Sequence, residues 1–228
     1  MFDLDGFGWF LLGGLFVTVA LAAVSMLFAC ALGALGAWGR LSGSRLARRL
    51  TLGYTTLVRG VPDYILLLLV YFGGQVFVNR LRALFGAEGY LDIDPFLTGV
   101  LTLGLIFGTY MAETLRGAFL AIPPGQIEAA RALGLSKARL ARRILLPQLL
   151  FHALPACGNV WLVLVKTTAI VSLIGLNDMM RRATAAAGAT QKPFKFYSVV
   201  SGGFLLITSV SHLLIKRAAE RSGLGFRK

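Results

Sequence analysis

Apolar residues run along this chain in long blocks broken by short polar stretches. Five blocks are long enough to cross about 30 Å of hydrocarbon. They extend approximately from Trp9 to Trp38, Tyr54 to Val78, Phe96 to Leu120, Leu149 to Ile174 and Phe196 to Ile215. The first exceeds what a span needs, which predicts tilt or an interfacial start. Gly104 and Gly108 form a GxxxG that permits close helix contact, although the motif is frequent by chance. The pattern predicts an all-α integral membrane chain, one domain over 1–228, with five transmembrane helices and a helix-turn-helix loop at 122–148.

Composition agrees, with 57% hydrophobic and 14% charged residues and a mean hydropathy of +0.75. A net charge of +13 raises the question of nucleic acid. The cations punctuate the ends of apolar blocks rather than gather on one polar domain, so they indicate topology and contact with anionic lipid, not nucleic acid. Arg40, Arg45, Arg48 and Arg49 fill the first connection. Arg116, Arg131, Lys137, Arg139, Arg142 and Arg143 fill the third, and Lys216, Arg217, Arg221, Arg227 and Lys228 the tail. Five alternating spans place these three on one side, predicting an outside N-terminus and an inside C-terminus. The second connection, with Glu88, Asp92 and Asp94, then lies outside. The fourth conflicts: it carries Arg181, Arg182, Lys192 and Lys195 against Asp178, yet alternation puts it outside.

Other chemistry is sparse. Cys30 and Cys157 belong to no CxxC or metal spacing and read as inert thiols; His152 and His212 are isolated, so no metal site is predicted. The N-terminus opens with Asp3 and Asp5, unlike a secretory signal. The motifs GxxxxGK[ST], HExxH and GxSxG are absent, which argues against an ATPase or a membrane enzyme, the main rival reading.

The connection from Ile122 to Gln148 reads IPPGQIEAARALGLSKARLARRILLPQ. Pro123 and Pro124 suit a helix start, and Glu128 suits its positive dipole end. Gly134 is placed to end that helix in the left-handed conformation. Ser136 is positioned to cap a second helix over Lys137 to Leu146, with Pro147 opening the fourth span. The binding-protein-dependent ABC importer permeases share Glu-Ala-Ala, three residues, Gly, nine residues, then Ile-any-Leu-Pro. Glu128, Ala129, Ala130, Gly134, Ile144, Leu146 and Pro147 meet each spacing, so the loop resembles theirs. The resemblance implies that the loop docks on a cytoplasmic ATPase and passes its motion to the spans; the alternative is a basic amphipathic element on lipid.

The likeness continues in Gly53 to Asp63, Asp92 to Pro95, Glu113 to Phe119 and Lys166 to Leu176. These segments resemble the polar amino-acid permeases, especially the Q-type subunit of the histidine/lysine/arginine/ornithine importers, with opine and arginine/ornithine importers close by. That family implies a bacterial inner-membrane subunit for importing cationic amino acids or opines. It further implies a second, homologous permease in a heterodimer, two ATPase subunits holding ATP and Mg, and a periplasmic binding protein. No cofactor is implied for this chain.

Ionisable groups inside spans are costly and mark a cavity or a partner. Asp63 lies about ten to fourteen residues past the cytoplasmic edge, about 15–20 Å deep at helical rise. Two readings stand: Asp63 attracts cationic cargo, or it pairs with Arg59 four residues earlier across the kink expected at Pro62. Glu113 and Arg116 are spaced for a local pair. Tyr110 shares a face with Glu113 and is a pathway candidate. Lys166 either meets a carboxylate or snorkels to the interface, and Asn159 is a weaker polar candidate in the same span.

Overall fold

The computed structural model describes residues 4–221; Asp3, Arg227 and Lys228 lie outside the described residues. Among those described, the structure is helical with no strand. The elements are α1 (Gly8–Leu41), α2 (Arg45–Gly60), α3 (Asp63–Leu84), α4 (Pro95–Leu120), α5 (Pro124–Ala132), α6 (Lys137–Ile174), α7 (Met179–Thr190) and α8 (Pro193–Arg221). Five of them, α1, α3, α4, α6 and α8, are long and apolar enough to cross a membrane.

Packing fixes the topology. Helices α1 and α4 run parallel in register: Gly99 faces Leu21, Gly104 faces Phe28, and Gly108 faces Leu32 and the Tyr54 hydroxyl. A Cβ at Gly104 would overlap the Phe28 ring, so the GxxxG does set a close approach. Helix α6 runs antiparallel, with Cys157 Sγ 3.4 Å from Met111 Sδ and Val171 against Gly99. Helix α8 returns, placing Ile215 on Gly158. Leu21, Leu67, Leu103, Met111, Leu164 and Val171 form the buried centre. Alternation therefore holds, with loop 122–148 at the end opposite the start of α1.

Three expectations need correction. The second crossing is not one helix from Tyr54 to Val78. Helix α2 stops at Gly60, Val61 and Pro62 are extended, and α3 begins at Asp63 and runs to Leu84. Proline lacks the N–H that would continue α2 and biases Val61 away from helix, so the expected kink is a break. The first, fourth and fifth blocks lie in longer helices than hydropathy marked, Gly8–Leu41, Lys137–Ile174 and Pro193–Glu220. The second helix of the loop is not separate: it continues into the fourth span through a π-turn at Ala141–Leu145. Pro147 cannot donate to the preceding turn, and the widened turn accommodates that loss.

The fourth connection folds as α7, which Asp178 caps by accepting 2.8 Å from Arg181 N–H. Met179 N–H donates to Thr18 of α1 at 3.2 Å. Arg182 donates to the Phe10 carbonyl at 2.8 Å and the Asn177 carbonyl at 3.0 Å. Lys192 and Lys195 pair with Asp5 at 3.3 and 3.0 Å. The fourth cation, Arg181, reaches the Ser172 carbonyl at 3.5 Å, so all four cations that conflicted with the topology rule are held by acceptors within the chain.

Candidate functional site

The break between α2 and α3 lies against the middle of α4. Arg59 Nε–H donates to Thr109 Oγ1 at 3.1 Å, Nη2 donates to the Thr109 carbonyl at 2.8 Å, and the guanidinium sits 4.5 Å over the Tyr110 ring. Thr109 is 14 residues into a helix of 26, roughly 20 Å from its start at 1.5 Å per residue. Two hydrogen bonds and a ring contact hold the guanidinium in one orientation.

The Arg59–Asp63 pair considered from the sequence is therefore not formed. Asp63 is half-buried in the first turn of α3, and no described side chain lies in ion-pair range of its carboxylate. Tyr54, one turn and a half before Arg59, donates to the Leu105 carbonyl at 2.5 Å and fastens α2 to α4. Thr109 and Tyr54 were missed in the sequence because a hydroxyl within an apolar run has no spacing signal.

Glu113 forms the expected local pair with Arg116 at 2.9 Å, and also binds Arg40 at the end of α1 at 2.9 Å. Such a fork is structural: it ties α1 to α4 below the site. Arg40 had been read only as a topology charge. Lys166 and Asn159 are exposed on α6; Asn159 lines a cleft with His212 and Lys216. Neither joins Asp63 and Arg59.

At the other site, Pro124 opens α5 and Gly134 adopts φ +71°. Leu135 N–H donates to the Ala130 carbonyl at 3.1 Å and Gly134 N–H to the Arg131 carbonyl at 2.9 Å. This is the Schellman pair that left-handed glycine allows. Ser136 stands at the start of α6, but its hydroxyl makes no cap; it accepts instead from Arg139 Nε–H at 3.3 Å. Ala130 and Leu140 are buried under the corner, while Glu128, Ala129, Leu146 and Pro147 are exposed and Ile144 is half-buried. Leu133 is 80% exposed. A rigid corner with an uncovered apolar tip is a candidate interaction surface. Gln148 of α6 and Gln126 of α5 hydrogen-bond side chain to side chain, joining the corner to the span.

Comparison with known proteins accords with this arrangement. Residues 29–221 match the family described as binding-protein-dependent transport system inner membrane component. The chain is 42% identical over 225 residues to the histidine/lysine/arginine/ornithine transport system permease protein HisQ of Escherichia coli (strain K12), covering 99% of this chain and 98% of that protein. It is 40% identical over 227 residues to the octopine transport system permease protein OccQ of Rhizobium radiobacter, covering 100% and 96%. A solved amino acid ABC transporter with histidines superposes with a TM-score of 0.82 at 29% identity, covering 96% of this chain and 97% of that one. The chain belongs to the binding-protein-dependent transport family. It is a multi-pass permease subunit of an ABC importer, a transport component rather than an enzyme.

Proposed function

We propose that this permease subunit forms the inner-membrane path for cationic amino acids or related opines, with Asp63 as the charge that receives the cargo. The observation that carries the reading is the division of labour at the α2–α3 break. Arg59 is held by Thr109 and Tyr110, which leaves the Asp63 carboxylate without a protein cation. An unneutralised carboxylate beside a break midway along the bundle attracts a cation where the dielectric is low. Tyr110, exposed beside Arg59, completes the wall. The named cargoes of HisQ and OccQ support the same class.

In this reading the exposed faces of the spans meet a second, homologous permease. Two ATPase subunits, which hold ATP and Mg, sit under the α5 corner. Glu128, Ala129, Ala130 and Gly134 form the docking corner, and Ile144, Leu146 and Pro147 pass its motion into the fourth span. A periplasmic binding protein delivers cargo to the end bearing Asp5 and α7, with the C-terminus in the cytoplasm.

The test uses the complete transporter in proteoliposomes with its binding protein. Asp63→Asn retains the shape and removes the charge. Uptake of lysine, arginine or histidine is expected to fall at least tenfold while assembly and basal ATP hydrolysis persist. Arg59→Gln combined with Asp63→Asn is expected not to recover it. Full cationic uptake in that double variant removes Asp63 from the path.

A further inference from the structure

We infer that the first turns of α2 are a seat for an anionic phospholipid, which anchors the α2–α3 break to one leaflet. Helix α2, capped by Ser44, begins Arg45, Leu46, Ala47, Arg48, Arg49, Leu50. Arg45, Arg48 and Arg49 are all exposed, and no described acid lies in ion-pair range of any of them. Arg40, five residues before Arg45, shows the contrast, since Glu113 holds it. Three unpaired guanidiniums within five residues suit a phosphodiester, whose two non-bridging oxygens accept the paired N–H donors of a planar guanidinium.

The apolar residues of the same helix say which kind of anion. Leu46, Leu50 and Leu57 fall at i, i+4 and i+11, one stripe on the helix surface, and they are 67%, 66% and 73% exposed. An aqueous protein surface would leave that stripe unsatisfied. An acyl chain covers it while the headgroup meets the arginines. The level is marked by Trp38, 68% exposed in the last turn of α1, a side chain favoured at the boundary between hydrocarbon and water. The opposite side of α2 is locked inward: Thr51 packs on Gly36 and Gly39 of α1, and Arg59 closes on Thr109. One rigid piece thus joins the lipid seat to the break.

The inference goes beyond the transport reading and is tested without cargo. In the assembled transporter, Cys30 and Cys157 are replaced by alanine and Leu46→Cys carries a fluorescent label. The complex is reconstituted in phosphatidylcholine vesicles doped with spin-labelled phosphatidylglycerol or spin-labelled phosphatidylcholine. Phosphatidylglycerol is expected to quench more strongly at equal content. The preference should drop by about fivefold for each charge removed in Arg45→Gln, Arg48→Gln and Arg49→Gln, and survive in weaker form with lysine at all three positions, which keeps the charge and loses the bidentate geometry. Equal quenching by the two lipids overturns the seat. So does an undiminished preference in the glutamine variant, or absence of quenching by either lipid, which would mean that a protein covers the stripe.

Discussion

Helices α7 and α5 occupy similar places in the chain, each a short helix within a basic connection between two spans, and the fold treats them in opposite ways. Helix α7 buries Met179, Ala183, Ala186 and Ala187 in an apolar cluster with Leu11 and Phe196. Arg182 is spent on backbone carbonyls of the same end. Helix α5 buries only Ala130. Arg131 and Lys137 around its corner meet no described acid in ion-pair range, and Leu133 stands in the open. A connection that belongs to the fold hides its apolar face and satisfies its cations. Helix α5 keeps its backbone rigid and leaves both uncovered, as the docking proposed for it requires.

The same substitution should therefore have opposite results in the two helices. Ala183→Asp puts a carboxylate at a position with 0% exposure, where burial without a partner costs several kcal/mol. We expect loss of the folded chain, read as failure to elute as a single species in detergent. Ala129→Asp, on the exposed side of α5, should leave thermal stability within a degree or two and reduce copurification of the ATPase. Equal losses of stability in the two variants would break the comparison.

Gly134→Val sharpens it. No atom lies within 4 Å of a Cβ built on Gly134, so space is available, and the φ of +71° alone penalises a side chain. The local cost is about 1–2 kcal/mol, more for a β-branched residue. The chain should insert and fold while ATP hydrolysis no longer responds to binding protein and cargo. Gly134→Ala should show a milder form of the same defect. Retention of full coupling in the valine variant would separate the corner from the ATPase.

These features differ in how far the sequence discloses them. The corner was legible because backbone conformation demands glycine and proline openings are a local rule, whereas the cap expected at Ser136 gave way to a bond from Arg139. The spans were legible as blocks, since hydropathy needs no partner. The break at Pro62 was read only as a kink, because whether a helix resumes its axis depends on α4 behind it. Pairing of Arg59 with Asp63 at i and i+4 was one of the two readings open from the sequence. Arg59 turned instead to Thr109, 50 residues away, a competition that no local spacing reveals. The charges of the fourth connection conflicted with the topology rule for the same reason. That rule counts cations, whereas Lys192 and Lys195 share the carboxylate of Asp5 from the far end of the chain.

The smallest expected effect lies in the pH dependence of the α7 end, where two acids act with opposite sign. Burial pushes Asp178 up to about 6 from 3.8, against the backbone N–H bonds that favour its anion. One of its oxygens is buried without a hydrogen-bond partner. Between pH 6 and 3.8 the folded chain holds a proton there that the unfolded chain lacks, so stability rises as pH falls through this window and then levels. Asp5 is the reverse: hydrogen bonds from Lys195 and Lys192 hold it below 3.8. Its contribution is complete above 3.8 and is lost as pH falls through the lowered value. Thermal unfolding of the purified complex should therefore show Tm rising by a few degrees from pH 7 to about 4.5, then falling below 3.8. Asp178→Asn keeps a good N-cap and should flatten the first limb alone. Asp5→Asn should soften the second, and high salt should mimic it because that pair is exposed to solvent. A first limb that survives in Asp178→Asn would place the titrating group elsewhere, and α7 would no longer be the connection whose charges are settled inside the fold.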